Sequence, residues 1–266
     1  MSTPKTVRKK PRESVAPLIL VSNDDGIHAA GIRALARALE RIGEVWIVAP
    51  ESEQSSMSHA ISLSRPLRLR EVAPRAWTVD GTPADCTYVA LHHQRLLPRA
   101  PSVVVSGINM GPNLGTDVFY SGTVAAAREG ALRGIPAVAF SMPSKGNAAA
   151  CATRARGLVE RLLAWRGANP GAPAPLVNVN FPAGKVRGVR ACALGVREYE
   201  NVVEIRNDPR GRQYLWIGGP SVANASVAGT DTAAYEEGYV SVTTLRLDLG
   251  LSADDPIAQS LARPRR

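Results

Sequence analysis

The chain has 266 residues, 45% of them apolar, which suffices for one large α/β domain or a domain with an appended lobe. Its net charge of +9 sits mostly at the ends (Lys5, Arg8, Lys9, Lys10 and Arg12, then Arg263, Arg265 and Arg266), so no specific nucleic-acid partner is expected. The absence of an apolar run of about 18 residues argues against a membrane span, and the basic start leads into no apolar segment of the signal-peptide kind.

Pro17–Ser22 reads as a buried strand that ends abruptly in Asn23-Asp24-Asp25-Gly26. Gly31–Arg41 then carries helical spacing, and Glu44–Ala49 is a second strand closed by Pro50. Residues 51–65 are polar and irregular and contain Ser55, Ser56 and His59. Leu67–Val72 and Trp77–Val79 have the length and composition of short strands. Thr82-Pro83 starts a helix over Pro83–His93, with threonine as cap and proline in the first turn. Ser102–Gly107 is a further buried strand, followed by a glycine-spaced loop from Gly107 to Gly115. Tyr120-Ser121-Gly122-Thr123 opens an alanine-rich helix over Gly122–Arg133, and Ala137–Ser141 is again a strand. A long helix over Asn147–Ala168 runs into a Pro/Gly-punctuated linker. Beyond it come a strand at Leu176–Phe181, a hairpin from Val202–Arg206 to Gln213–Ile217, and a last strand at Tyr239–Leu247.

Alternating strands and helices predict a Rossmann-like α/β fold: a mostly parallel sheet with helices on both faces, plus a C-terminal β-hairpin extension at about residues 200–220. The expected divisions are a disordered basic tail over 1–16, one domain over 17–250 and a C-terminal tail over 251–266. Three widely separated cysteines, Cys86, Cys151 and Cys192, make neither a disulfide framework nor a zinc site. A cytoplasmic protein is the expectation.

Two neighbouring carboxylates at the carboxyl end of a strand repel each other unless a cation sits between them. Asp24 and Asp25 are therefore candidate ligands of a divalent metal ion, and in an open α/β sheet that address is where ligands bind. Polar residues also end the next strands, the Ser55-Ser56 region after the second and Asn109 after the valine-rich one. Parallel strands would converge these onto one crevice, where hard oxygen donors favour Mg²⁺, Mn²⁺ or Ca²⁺ over zinc. Ser121, Gly122 and Thr123 at a helix start supply N–H groups, hydroxyls and a favourable dipole for an anion. Metal beside anion site points to metal-assisted phosphoester hydrolysis. Each feature also has a plain structural use, as a turn, a solvated loop or a helix cap. A phosphatase with a nucleophilic aspartate in a D-x-D pattern is disfavoured, because Asn23 puts an amide at the nucleophile's position. The chain has neither a G-x-G-x-x-G fingerprint nor a G-x-x-x-x-G-K-[ST] loop.

Five ordered blocks carry a family resemblance: Leu20 to Ile27, Val48-Ala49-Pro50 with Ser55, Gly81 to Cys86, Val105 to Gly115, and Tyr120 to Ala127. Over roughly residues 18–245 the chain resembles the SurE family of stationary-phase survival proteins, metal-dependent 5′/3′-nucleotidases. The resemblance implies one divalent ion per subunit, Mg²⁺ or Mn²⁺, held by Asp24, Asp25, Ser55 and Asn109. It implies phosphate contacts from Ser121, Gly122 and Thr123, and catalysis at Asp24 and Asp25 by attack of activated water. It further implies nucleoside 5′- and 3′-monophosphates as substrates, with activity on short polyphosphate. A homodimer or tetramer with exchanged C-terminal elements is implied as well, the hairpin near Val202–Ile217 being the candidate for exchange.

Overall fold

The computed structural model describes residues 16–199, 202–218, 222–224, 227–252 and 254–262. Residues 1–15 of the expected basic tail and 263–266 of the expected C-terminal tail lie outside them.

The first half follows the alternating pattern: β1 (Leu18–Ser22), α1 (Ala30–Leu39), β2 (Glu44–Pro50), β3 (Leu69–Ala73), β4 (Ala76–Val79), α2 (Pro83–His92), β5 (Val103–Met110), α3 (Gly122–Leu132), β6 (Ala137–Met142), α4 (Ala148–Ala168) and β7 (Leu176–Asn180). The second half adds β8 (Gly188–Ala191), β9 (Arg197–Tyr199), β10 (Val203–Asn207), β11 (Gln213–Ile217), β12 (Val222–Asn224), α5 (Asp231–Glu236), β13 (Tyr239–Leu245) and α6 (Pro256–Ala262). Among the described residues, no helix is long and apolar enough to cross a membrane.

One nine-stranded sheet runs in the order β3-β4-β2-β1-β5-β6-β7-β13-β8. From β4 to β7 every neighbouring pair is parallel, while β3 and β13 join antiparallel to β4 and β7. Each central strand is apolar on both faces because both are covered by helices. Ile19 and Val21 of β1 pack with α1 and α4 through Ile32, Leu35 and Val159, while Leu20 between them packs with α2 and α3 through Cys86, Val124 and Ala127. Alanines on α3 are what bring that helix close. A Cβ on Gly130 would lie 2.5 Å from Cγ2 of Val104.

Several elements differ from the sequence expectation. The strand expected at 67–72 is displaced to Leu69–Ala73 and is an exposed antiparallel edge strand. The valine-rich strand continues to Met110, with an irregular register against β6 between Ser106 and Asn109. Gly107 makes that possible: its φ is +120°, and a Cβ there would sit 2.3 Å from the Phe140 carbonyl oxygen. The last strand stops at Leu245, and part of the expected C-terminal tail forms α6. β8, β9 and β12, of three or four residues each, are too short to show a period. The hairpin of β10 and β11 stands apart from the main sheet, its residues exposed.

Candidate active site

Strand order reverses between β1 and β5. The chain leaves β1 toward β2 on one side, and the later strands build out from β5 on the other. Such a switch point opens a crevice at the carboxyl ends of the strands. Ser22, the last residue of β1, pairs with Ser106, and β5 runs on past that point to Met110. The acidic turn is shaped locally: the Asn23 Nδ2 donates to the Gly26 carbonyl at 2.9 Å, and Gly26 takes a φ of +90°.

Asp24 is only 4% exposed. Its Oδ1 accepts a hydrogen bond from the Thr123 hydroxyl at 2.5 Å, and its Oδ2 accepts from the Thr123 N–H at 3.0 Å. Burial pushes the carboxyl up to about 6, against the pull of Thr123, and the neighbouring Asp25 charge adds to the rise. Gly122 allows this approach of α3, because a Cβ there would meet Asp24 Cβ and Pro83 Cγ at 2.9 Å each. Asp25 is half-buried and accepts from the Met110 N–H at 3.3 Å. Burial raises its pKa, the Met110 N–H opposes, and Glu53 contributes like-charge repulsion.

Asn109 spends its Nδ2 on the Gly111 carbonyl at 2.7 Å, which leaves its Oδ1 as an acceptor facing no hydrogen-bond donor among the described residues. The Ser55 hydroxyl donates to Glu53 Oε1 at 2.7 Å and keeps its lone pairs. Its loop is docked on the start of α3. Ser58 donates from its hydroxyl to the Phe119 carbonyl at 2.6 Å and from its N–H to the Tyr120 carbonyl at 3.0 Å, and His59 Nε2 lies 3.0 Å from Glu129 Oε2. Asp24, Ser55, Asn109 and Ser121 thus line one cavity of about 680 Å³.

Residues that the sequence reading did not single out support this floor. Asn113 donates from its backbone to Asn180 Oδ1 at 2.7 Å and from its side chain to the Ser141 hydroxyl at 2.8 Å, and it accepts from Asn178 and Asn180. Asp231 accepts N–H bonds from Gly115, Gly195 and Thr232. Asp117 forms an ion pair with Arg197 and accepts from the Tyr199 hydroxyl at 2.5 Å. A signal existed only for Asn113, which sits inside the glycine-spaced loop. Arg197 lies 80 residues along the chain from Asp117, and Asp231 lies 36 from Gly195 and 116 from Gly115.

A family model described as survival protein SurE matches residues 19–201. The chain belongs to the SurE family. A relative from Sorangium cellulosum, named 5′-nucleotidase SurE, is 53% identical over 247 residues, 92% of this chain and 96% of that one. Another of the same name from Anaeromyxobacter sp. strain Fw109-5 is 53% identical over 248 residues, 91% and 94% of the two chains. The crystal structure of the SurE protein from Aquifex aeolicus superposes with a TM-score of 0.78 at 36% identity, covering 92% of this chain and 99% of that one.

Within this SurE chain the sequence-derived candidates fall into three groups. Asp24, Ser55, Asn109 and Ser121 share the cavity, together with Ser56. Asp25 is hooked to Met110 at its edge. Gly122 and Thr123 pack directly on Asp24, and both Thr123 donors point at that carboxylate. Among the described residues no three histidine, cysteine or carboxylate side chains converge on a metal-binding point, so a cation here needs amide and hydroxyl oxygens as well. The donor chemistry meets that need: two carboxylates, the Asn109 carbonyl and the Ser55 hydroxyl are all hard oxygens. No cationic side chain is hydrogen-bonded or ion-paired to Asp24 or Asp25 among the described residues, so the acid pair has no countercharge of its own.

Proposed function

We propose that this SurE protein is a 5′-nucleotidase, a phosphomonoesterase that hydrolyses nucleoside 5′-monophosphates to nucleoside and phosphate. The observation that carries the reading is the pairing of Asp24 just past β1 with Thr123 at the start of α3, which sets Asp24 and the helix-capping Ser121 side by side on one cavity. The names of the Sorangium and Anaeromyxobacter relatives support it.

Asp24, Asp25, Ser55 and Asn109 would hold one Mg²⁺ or Mn²⁺ ion. When bound, such an ion supplies Lewis-acid polarisation of a phosphoryl oxygen and lowers the pKa of a coordinated water. The Ser121 hydroxyl and the Gly122 N–H, which has no partner among the described residues, are free to donate to phosphate oxygens at the positive end of α3. Thr123 acts one step back, holding the Asp24 carboxylate in one orientation. The Asp24 or Asp25 carboxylate takes the proton of the attacking water. Nucleoside 3′-monophosphates and the ends of short polyphosphates present the same phosphomonoester-like group to this floor, and the proposal extends to them.

The reading also includes self-association as a dimer or tetramer. Ile205, Leu215, Trp216 and Ile217 of the hairpin are 61%, 56%, 60% and 92% exposed, and an isolated two-stranded ribbon needs a covering surface. Cytoplasmic residence is in keeping with three free cysteines. The test is phosphate release from AMP and GMP with Mn²⁺ or Mg²⁺ and with EDTA. Release that needs the divalent ion is expected. Binding without turnover would refute the hydrolase, and turnover indifferent to EDTA would refute the metal.

A further inference from the structure

The cavity has two chemically different ends. Asp24, Ser55, Asn109 and Ser121 make a polar floor, whereas Met110, Tyr120, Val203 and Ile217 give the rim an apolar character. A free phosphate or a polyphosphate has no use for such a rim. A nucleotide does, because its base is a flat apolar body held one sugar away from the phosphate.

Tyr120 stands out on that rim. It precedes Ser121, so its ring starts one residue from the phosphate end of the cavity. Its backbone is tied on both sides: its N–H donates to the Asp117 carbonyl at 3.0 Å, and its own carbonyl accepts from the Ser58 N–H at 3.0 Å. Its side chain is nevertheless 65% exposed, and its hydroxyl has no hydrogen-bond partner among the described residues. Tyr199, the other aromatic on the lining, differs in both respects. It is less exposed, at 43%, and its hydroxyl is spent on Asp117. Met110 repeats the Tyr120 arrangement. Its N–H is fixed on Asp25, while its side chain is 51% exposed on the same cavity. An unpaired aromatic ring on an anchored backbone loses little freedom when it takes up a ligand.

We infer that Tyr120, with Met110 beside it, is the platform on which the nucleobase of the substrate stacks. The inference rests on the nucleotidase reading and adds the part of the substrate that this chain recognises beyond the phosphate. Stacking needs only a π-face, which every base has, so the platform selects nucleotides over other phosphomonoesters with little choice among bases. The thioether of Met110 offers a soft, adaptable second surface.

The experiment compares AMP with ribose 5-phosphate, which keeps the phosphate and sugar but has no base. In Tyr120→Leu, which keeps apolar bulk and removes the ring, the ratio of kcat/KM for AMP to that for ribose 5-phosphate falls about tenfold, the loss residing in KM. Tyr120→Phe keeps the ratio, since the hydroxyl has no partner to lose. Adenosine, measured by calorimetry, binds about tenfold more weakly to the leucine variant than to the wild type or the phenylalanine variant. Equal losses for AMP and ribose 5-phosphate would overturn the inference, and so would an unchanged adenosine affinity. A wild-type protein inert toward both phosphoesters would refute the hydrolase reading alone, and the adenosine affinities would still decide the platform.

Discussion

Asp24→Asn should make the metal-free protein more stable while abolishing the metal-dependent turnover proposed for it. The side chain keeps its shape, and an amide keeps both Thr123 contacts by accepting the Thr123 N–H on its oxygen and donating its Nδ2 to the Thr123 hydroxyl, so the main change is the charge. Burial is the main reason the Asp24 carboxyl titrates at about 6 rather than 3.8, and keeping it ionised in the folded state therefore costs about 3 kcal/mol. The asparagine amide removes that cost and the repulsion it exerts on Asp25. The gain corresponds to a rise in Tm of roughly 6–12 °C for a protein of this size, read by thermal unfolding in EDTA at about pH 8. The pH dependence follows from the direction of the shift. Because the folded-state pKa lies above the unfolded one, the folded wild type takes up its proton first as pH falls, and this group's contribution to stability rises between about 6 and 3.8. The advantage of the variant therefore shrinks on acidification through that window. Saturating Mn²⁺ should raise the Tm of the wild type and leave that of the variant where it was. A variant that melts at or below the wild type in EDTA at about pH 8 would refute the idea that Asp24 is a buried charge awaiting a counterion.

Thr123→Val removes the hydroxyl donor to Asp24 Oδ1 and should cost about 2 kcal/mol of stability, with kcat falling more than KM rises; Thr123→Ser should restore both, and a pure KM effect would return Thr123 to direct phosphate contact. Gly31→Ala brings a Cβ to within 2.0 Å of the Ile108 carbonyl oxygen, where only backbone can yield, so a loss of roughly 3 kcal/mol or more together with weakened Mn²⁺ affinity is expected in denaturant melts and metal titrations. Tyr199 is pushed up to about 12 by burial, with the Asp117 hydrogen bond and charge adding to it. Asp117→Asn should lower the phenol pKa toward its ordinary value of 10 in a spectrophotometric titration, and an unmoved titration would rule out the Asp117–Tyr199 contact.

The alternation of elements was legible because buried parallel strands and amphipathic helices have distinct periods: β1, β2, β6 and β7 fall where the pattern puts them, and β5 starts there but runs on to Met110. So was the address of the acid pair, since a strand that breaks into Asn-Asp-Asp-Gly can only end there. The edge strand at Leu69–Ala73 slipped because exposed residues carry no burial period. β9 and α5 escaped because their reason for being lies elsewhere: Arg197 and Tyr199 serve Asp117, and Asp231 serves Gly115 and Gly195. Such pairings span roughly 35 to 115 positions, and no local pattern encodes a partner that far away.

Residue types and their order were enough to assign an α/β sheet and to put an acid pair at the end of its first strand and Ser121, Gly122 and Thr123 at a helix start. Folding alone settled where the Thr123 donors go. Read along the chain, Thr123 is one of three equivalent groups at a helix N-terminus. In three dimensions the missing Cβ of Gly122 lets α3 close onto β1, and the nearest acceptor for both Thr123 donors is then Asp24, 99 residues earlier. The physical reason is packing: which atoms come within hydrogen-bonding reach depends on how closely two elements can approach, and that is a property of the assembled core.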